Sequence, residues 1–401
     1  MTDMINRAME GYLNNCEISC AALRIMKNGQ TVFENKWGYS SIEKKTPVEY
    51  DSIYRMMSMT KVITAVAVMI CCERGLLYLD MSLSEYIPQF FGMKVCDDER
   101  YVYSPEKLKK LPLMLLTFSM KKVKTKPAER EMTIRDLLSH SSGLQQGLAG
   151  LLALYKENRH YGTLKDFVLH YSDHVLDFSP GEGTGYSPIA GFDILGYLVS
   201  LVSGMSLEDF IQKEICIPLS MKDTTFFPND LQKVRIVEVY KRKKVKLVNV
   251  TGTKDDIYGV LHQKTITYEH GSGGIYSTLS DFTAFTAMLL NNGEYEGHRI
   301  LSEESVVLMS TEAPKNHLEP EPGHVWGLGV KIRQDPIKGN TPATKGTYGW
   351  SGAFGTHFFI SPKDNLLTVF VTNRSDLNGA GSYISRKVEE MVFEIYGEKN
   401  E

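Results

Sequence analysis

The sequence is poor in cysteine and in long apolar runs. Its six cysteines are spread over 401 residues, and the adjacent pair Cys71–Cys72 suits neither a disulfide framework nor a zinc site. We therefore expect reduced, mostly buried thiols. The longest helical apolar stretch, residues 62–72, is about half of the ~20 residues that a membrane span needs. The opening residues lack the basic region and apolar run of a secretory signal. These absences predict a cytoplasmic protein with no membrane span.

The chain also lacks an excess of charge of one sign. Its 45 Lys and Arg residues oppose 48 Asp and Glu residues, which gives a formal net charge of -3. Dedicated nucleic-acid and membrane-surface proteins usually carry a basic excess, so we expect a small-molecule partner and no nucleic acid. Two basic runs, 107–126 and 241–244, are interpreted as solvated loops; the second is predicted to be a hairpin tip between strands at 234–240 and 245–250.

Turn signals at both ends of the chain indicate one antiparallel sheet. Asn28-Gly29 lies between two apolar runs, as in a hairpin closed by a type I′ turn. Near the C-terminus two strand-like runs flank residues 361–365, and a helical pattern follows over about 383–396. We predict an α/β (α+β) fold: residues 1–75 and 265–401 form a mixed lobe around the sheet, and residues 76–264 form an inserted, mainly helical lobe.

The nucleophile motif Gly-x-Ser-x-Gly is absent, which argues against the commonest esterase fold. Ser-x-x-Lys occurs repeatedly, and the matches considered begin at Ser58, Ser104 and Ser119. Ser104 precedes a proline and Ser119 lies in a lysine-rich segment, so both are interpreted as surface serines. Ser58 instead begins an apolar run that ends at Gly75, which predicts a buried helix with Ser58 in its first turn.

That placement has chemical consequences for Ser58 and Lys61. The i, i+3 spacing places both side chains on one helix face. The positive end of the helix and burial both disfavour the ammonium, so we expect the pKa of Lys61 to fall from about 10.4. A decrease of ~3 in this pKa corresponds to a free energy of about 4 kcal/mol, which burial can supply. The alternative is a serine helix cap beside a solvated lysine.

Six segments, taken in order, resemble the serine β-lactamase and penicillin-binding-protein superfamily, specifically its class C-like branch with the family VIII carboxylesterases. They are Tyr54-Arg-Met-Met-Ser58-Met-Thr-Lys61, residues 133–144, Pro180-Gly to Tyr186-Ser-Pro188, residues 218–224, residues 271–278, and Trp350-Ser-Gly-Ala-Phe-Gly-Thr356. Together they cover nearly the whole chain, and six ordered matches are far more specific than one.

The resemblance implies roles for the matching positions. Ser58 would be the acylated nucleophile, Lys61 its proton partner, and Tyr186 the residue that shares the proton and later activates the deacylating water. Backbone N–H groups of Ser58 and Ala353 would form the oxyanion hole, worth ~3 to 4 kcal/mol per donor. No cofactor or metal is implied.

Two departures from the family pattern narrow the substrate. Tyr-x-Asn reads Tyr186-Ser187-Pro188, so an amide that contacts the acyl group is missing. The family's Lys-Thr-Gly motif is replaced by Trp350-Ser351-Gly352 in this chain. A lysine suited to binding a carboxylate is thus replaced by Trp350, which supplies apolar area and an indole N–H donor. We expect Trp350, Ser351, Gly352 and Pro188 to contact the substrate, and a small neutral ester to fit better than a β-lactam.

Several alternatives stay open at this point. A β-lactamase, a D-amino-acid peptidase acting on an amide, an acyltransferase and a non-catalytic binding protein would share the fold. Arg374 could restore a carboxylate contact, although a solvated strand-end arginine is favoured, and residues 93–131 could cover the cleft or form a surface insertion. His170 and His174 are interpreted as ordinary helix histidines because the metalloprotease glutamate is absent. His140 is assigned a structural hydrogen-bonding role.

Overall fold

The structure of the chain is a computed structural model. It describes residues 2–102, 105–156, 162–253, 255–256, 268–313, 319–379 and 381–398.

Sixteen strands occur in the described ranges. In chain order they are β1 (Cys20–Lys27), β2 (Gln30–Ser41), β3 (Thr46–Pro47), β4 (Ile53–Arg55), β5 (Lys94–Cys96), β6 (Thr125–Pro127), β7 (Tyr240–Lys243), β8 (Lys246–Asn249), β9 (Tyr276–Thr278), β10 (Glu294–Tyr295), β11 (His298–Arg299), β12 (His324–Trp326), β13 (Lys331–Arg333), β14 (Tyr348–Ser351), β15 (His357–Ser361) and β16 (Leu366–Val371).

Thirteen α-helices accompany them over the same ranges. They are α1 (Thr2–Asn14), α2 (Thr60–Glu73), α3 (Pro105–Lys109), α4 (Leu111–Thr117), α5 (Ile134–Leu138), α6 (Leu148–Lys156), α7 (Leu164–Tyr171), α8 (Ala190–Ser203), α9 (Leu207–Ile211), α10 (Asp230–Lys233), α11 (Leu279–Leu290), α12 (Glu303–Met309) and α13 (Tyr383–Tyr396).

The central sheet joins the two ends of the chain. Its order is β12-β13-β14-β15-β16-β1-β2-β3, and each neighbouring pair is antiparallel. Strand β1 lies between β16 and β2, with Ala22 opposite both Val371 and Lys36. The predicted mixed α/β fold with a sheet built from both termini is therefore confirmed. The division into two lobes stays a prediction, and its boundary at 264/265 lies outside the described residues.

Local turn chemistry explains the hairpins and helix ends. Asn28 and Gly29 have φ values of 53° and 74°, the positive pair that a type I′ turn requires. Helix α8 ends where Gly204 takes the left-handed conformation at φ 70°, as a C-terminal glycine does. Helix α13 has the bounds expected from its periodicity.

Two apolar layers cover the faces of the sheet. On one face α1 and α13 bury alternate side chains of the central strands, including Leu23 and Phe370. On the other face the intervening positions, including Ala22 and Val369, join a larger core with α2, α8 and α11. This alternation follows the period of two in a strand. Each fully buried aliphatic or aromatic side chain contributes about 1.5–3 kcal/mol, so the shared core holds α2, α8 and α11 firmly together.

The hairpin at 240–249 is shorter than predicted. Its strands begin only at Tyr240, because Val237 donates its N–H to the carbonyl of Ile53 and Ile236 forms a bridge with the same residue. Residues 236–237 therefore extend the β4–β9 pair instead of the hairpin. The basic tip is solvated as expected, since Lys243 and Lys244 are exposed.

No single helix in the described ranges is both long and apolar enough to cross a membrane. Helices α8 and α9, taken with the turn that follows α9, reach that length and composition only as a pair bent by 79°.

Candidate active site

Ser58 lies in a tight turn that leads into the buried helix α2. Residues Met57–Met59 form one 3₁₀ turn, and α2 follows from Thr60. Met57 has a φ of 51°, a left-handed conformation that is strained for a side chain of this kind. The turn is fixed from outside, because the N–H of Met56 donates to the carbonyl of Ile275 at 2.9 Å and Thr60 accepts from the N–H of Ile275 at 3.1 Å. The serine therefore projects from a rigid support.

The hydroxyl of Ser58 is close to both predicted partners. The hydroxyl of Tyr186 donates to Ser58 Oγ at 2.6 Å, and Lys61 Nζ lies 3.5 Å from the same oxygen. Ser58 and Tyr186 are half-buried, whereas Lys61 is buried. The structure brings together the three residues that the sequence predicts to be catalytic.

Lys61 is buried and held by backbone oxygens. It is 1% exposed, and its ammonium donates to the carbonyls of Pro188 and Ser272 at 2.7 Å each. The same nitrogen lies 5.1 Å from the ring centre of Tyr186 and 5.5 Å from that of Phe192, a geometry that favours a cation. Lys61 is thus a positioned side chain, in contrast to the solvated lysine of the alternative interpretation.

The loop that carries Tyr186 is tied to His140. The N–H of Ser187 donates to His140 Nδ1 at 3.1 Å, and the His140 carbonyl accepts from the N–H of Gly185 at 3.2 Å. Burial, and then the charge of Lys61, hold the pKa of His140 well below its usual value. A neutral ring keeps the Nδ1 lone pair that Ser187 needs. His140 therefore has the structural hydrogen-bonding role that its sequence context suggests.

Aromatic rings form the wall beside Tyr186. The ring of Trp350 lies 5.1 Å from that of Tyr186 and 4.9 Å from that of Trp326. Trp350 is 6% exposed, and among the described residues its indole N–H has no hydrogen-bond partner. Lys331 Nζ lies 5.6 Å from the Trp350 ring centre but is paired with Glu321. The pair adds no net charge beside the wall.

Gly352 allows β14 to approach the serine turn. A Cβ at this position would lie 2.3 Å from the Met56 carbonyl oxygen and 2.1 Å from Thr356 Oγ1, closer than real Cβ contacts come. Thr356 in turn donates to the Met56 carbonyl at 3.1 Å. Ala353 packs against the small cluster that contains Met57. The position predicted to supply the second oxyanion donor is therefore next to the serine turn.

The hydroxyl of Ser351 forms a hydrogen bond on the face of β14 that is turned toward α13. It is 2.7 Å from His357 Nδ1, and His357 Nε2 is 2.9 Å from Glu389 of α13. Arg333 donates to both oxygens of Glu389 at 2.6 Å. Because side chains alternate along a strand, Ser351 follows the α13 face while Trp350 faces Tyr186. From the sequence, both residues are predicted to contact the substrate.

The remaining candidates fall in different places. Pro188 contributes its carbonyl to Lys61, so its part in the site is a backbone one. Arg374 is buried, and donates to the carbonyl of Glu17 at 2.6 Å and to Asp376 at 2.9 Å; the expectation of a solvated arginine is wrong. Ser104 lies outside the described residues, and Ser119 is on a peripheral segment.

Histidine and acidic side chains do not gather into a metal site in the part of the chain that the structure describes. His170 and His174 contact each other edge to face at 5.2 Å, and His170 also lies 3.8 Å from Asp173.

Two contributors to the site were not predicted as site residues, although Ser272 lies in the matched segment 271–278. Trp326 stacks on Tyr186 at 6.3 Å, and the carbonyl of Ser272 accepts from Lys61. Neither residue type nor spacing identifies them, because a backbone carbonyl belongs to every residue and a lone tryptophan usually indicates core.

Comparison with known proteins defines the class. The structure superimposes on EstCE1, a hydrolase with promiscuous acyltransferase activity, with a TM-score of 0.76 at 20% identity over 99% of this chain and 98% of that one. The Beta-lactamase family profile matches residues 5–390, and the chain belongs to this family. It is a serine hydrolase of the β-lactamase-related group.

Two relatives align over most of their length. A lovastatin esterase of Penicillium rubens is 27% identical over 355 residues, which are 81% of this chain and 80% of the relative. An uncharacterized protein of Mycobacterium tuberculosis is 28% identical over 368 residues, 88% of this chain and 85% of the relative.

Proposed function

We propose that the chain is a carboxylesterase that hydrolyses small neutral esters through an acyl-enzyme on Ser58. The observation that carries the proposal is the contact of Ser58 Oγ with Tyr186 at 2.6 Å and Lys61 at 3.5 Å. A nucleophile with a positioned proton acceptor is the minimum that covalent ester hydrolysis requires.

The geometry supports a two-step reaction. Ser58 Oγ attacks the ester carbonyl carbon, and its proton passes to the Tyr186 oxygen of a Tyr186–Lys61 pair that holds one proton fewer than a phenol beside an ammonium. The pair then delivers that proton to the departing alcohol oxygen as the carbon–oxygen bond breaks, which leaves the acyl group on Ser58. Water attacks the acyl carbon in the second step and loses its proton to the same pair. The acid departs as Ser58 regains a proton.

The negative oxygen of each intermediate needs hydrogen-bond donors. The N–H groups of Ser58 and Ala353 are proposed for this part. In the described ranges the Ala353 N–H meets no acceptor, and Ala353 packs in the cluster of Met57. Each such donor is worth about 2.7–4 kcal/mol to the transition state.

The aromatic wall supports the choice of a neutral ester. Trp350 occupies the place of the family lysine, and the nearby Lys331 is neutralised by Glu321. The wall therefore has apolar area for an acyl or alcohol group, and the lysine beside Trp350 is already paired with a carboxylate. The lovastatin esterase and the hydrolase EstCE1 are consistent with ester chemistry in this family.

Mass spectrometry of the intact protein tests the proposal. A fluorophosphonate, a p-nitrophenyl short-chain ester and a cephalosporin are each incubated briefly with the parent protein, with Ser58→Ala, and with Ser119→Ala as a control at another Ser-x-x-Lys. We expect an adduct and ester turnover in the parent and in Ser119→Ala, and neither in Ser58→Ala. Faster turnover of the cephalosporin than of the ester would make the chain a β-lactamase, and no Ser58-dependent adduct would end the enzymatic proposal.

A further inference from the structure

Residues 100–126 concentrate positive charge that the composition of the whole chain conceals. This segment has eight basic residues and one acidic residue, Glu106, although the chain has a net charge of -3. Lys109, Lys110, Lys121 and Lys122 are exposed, and within the described part of the chain they form no ion pair. Solvated lysines were expected here; their concentration around one short helix was not.

Helix α4 lies between these lysines and presents leucines to solvent. Leu111, Met114 and Leu115 face a small core shared with α6. Leu113 and Leu116 point the other way and are 65% and 80% exposed. Adjacent exposed apolar side chains with a rim of polar residues mark protein-interaction or membrane-interaction sites.

We infer that α4 and its flanking lysines, here called the α4 surface, dock the protein onto an anionic lipid bilayer. Lipid phosphates would neutralise the lysines at both ends of α4, while Leu113 and Leu116 enter the interfacial region between the headgroups. Lysine side chains suit this arrangement because their stems lie along apolar material while their ammonium groups stay in water.

The shape of the α4 surface favours a bilayer over an acidic protein. The leucines project from a convex helix, and a bilayer adapts to any convex apolar group. A folded protein partner would need a matching groove and about 800 Å² of contact on each side.

The position of the α4 surface connects it to the site. Helix α4 packs on α6, and the residues just before α6 contact the Tyr186 loop: a Cβ on Gly185 would lie 2.5 Å from the Gln146 carbonyl oxygen. Docking through α4 would therefore hold the loop that carries Tyr186 near the lipid surface, where esters with apolar chains accumulate.

Vesicle co-sedimentation tests docking independently of any activity. The full chain is mixed with vesicles of phosphatidylcholine alone or with about 30% phosphatidylglycerol. We expect binding only to the anionic vesicles, and its loss at about 0.5 M salt because charge screening then extends over only a few ångströms. Binding that is equal for both vesicles, or absent from both, would overturn the inference.

Paired substitutions locate the contact. Lys121→Glu with Lys122→Glu should weaken binding at least about tenfold. Lys243→Glu with Lys244→Glu, which reverses an exposed lysine pair at the β7–β8 tip, should leave binding within about twofold. Equal losses in the two variants would show unspecific attraction and contradict a docking surface.

Insertion of the leucines is a separate requirement. Leu116→Trp should shift its added fluorescence to shorter wavelength with anionic vesicles, measured as a difference from the parent protein. Leu113→Gln with Leu116→Gln should lower vesicle affinity about tenfold or more. Retained affinity without an emission shift would mean that the lysines alone are attracted to any polyanionic surface, and the inferred docking through inserted leucines would be wrong. Circular dichroism of each variant shows that it is folded.

Discussion

At the scale of single residues, Tyr186 has the most direct contact with the nucleophile. Tyr186→Phe removes the hydroxyl that is 2.6 Å from Ser58 but keeps the ring among His140, Trp326 and Trp350. We expect kcat for a p-nitrophenyl ester to fall about 100-fold or more, with little change in thermal stability. A variant with unchanged kcat would remove Tyr186 from the proposed proton pathway.

Trp350 tests the substrate preference at the same scale. Trp350→Phe keeps most of the apolar area and loses the indole N–H, which has no partner among the described residues. We expect KM for short neutral esters to change less than about threefold, whereas Trp350→Ala should raise KM about tenfold or more through lost contact area. Steady-state kinetics with one ester series provide the comparison, and equal effects of both variants would contradict an apolar role.

At the scale of elements, Gly352 controls how closely β14 approaches the serine turn. Gly352→Ala forces a Cβ toward the Met56 carbonyl, so the strand must move away. We expect about 1–3 kcal/mol of lost stability in urea unfolding, together with a loss of ester turnover. Gly11→Ala is a suitable control, because its Cβ meets nothing within 4 Å in α1 and should stabilise by up to about 1 kcal/mol.

The contact between α13 and β14 depends on a buried carboxylate. Burial opposes the charge of Glu389, but Arg333 and His357 outweigh it and hold the pKa of this carboxyl well below its usual value. Glu389→Gln leaves Arg333, whose side chain is 11% exposed, without its charged partner, and we expect about 3–5 kcal/mol of destabilisation. Since the folded pKa is depressed, the parent protein loses this contribution as pH falls below about 4.3, whereas the variant has none to lose. Urea unfolding from pH 7 to pH 3.5 measures both effects, and equal pH slopes would contradict this account.

Elements differ in how well sequence predicts them. The bounds of α13 followed from its 3.6-residue periodicity, and the β1–β2 turn followed from Asn28-Gly29, because both depend on neighbours in the chain. The first strand of the 240–249 hairpin was predicted at 234–240 but begins only at Tyr240, whereas the second lies within its predicted range. There the long-range pairing with Ile53 competed for the same backbone groups, and no local pattern encodes that competition.

At the scale of the whole molecule, buried histidines link stability to pH. Burial, with the charges of Arg333 and Lys331, lowers the pKa of His324 to about 4. The ring is neutral in the folded chain, but its unfolded form takes up a proton near pH 6.5, so stability is lost as pH falls from about 6.5 toward 4.

A variant isolates that contribution. His324→Asn can still donate to the Pro322 carbonyl, which accepts from His324 Nδ1 at 2.9 Å, but it does not titrate. We expect the variant to lose about 1 to 2 kcal/mol less stability than the parent between pH 7.5 and pH 5. Urea unfolding at the two pH values measures the difference, and parallel pH dependence would assign the effect to other groups.

Composition and sequence order determined much about this protein. The scarcity of cysteine, the order of six motifs and the local turn signals were sufficient for the fold class, the family and the Ser58, Lys61 and Tyr186 hypothesis. These features depend on residue type and on short spacing, which the chain carries directly.

Only the tertiary structure decided which side chains meet. It placed Trp326 beside Tyr186, the Ser272 carbonyl at Lys61, and Ser351 against His357 on the α13 side of β14. It also gathered the lysines of 100–126 around two exposed leucines, in a chain whose average charge is close to neutral. Such contacts join residues up to 211 positions apart, and they depend on packing and strand alternation that no local spacing can specify.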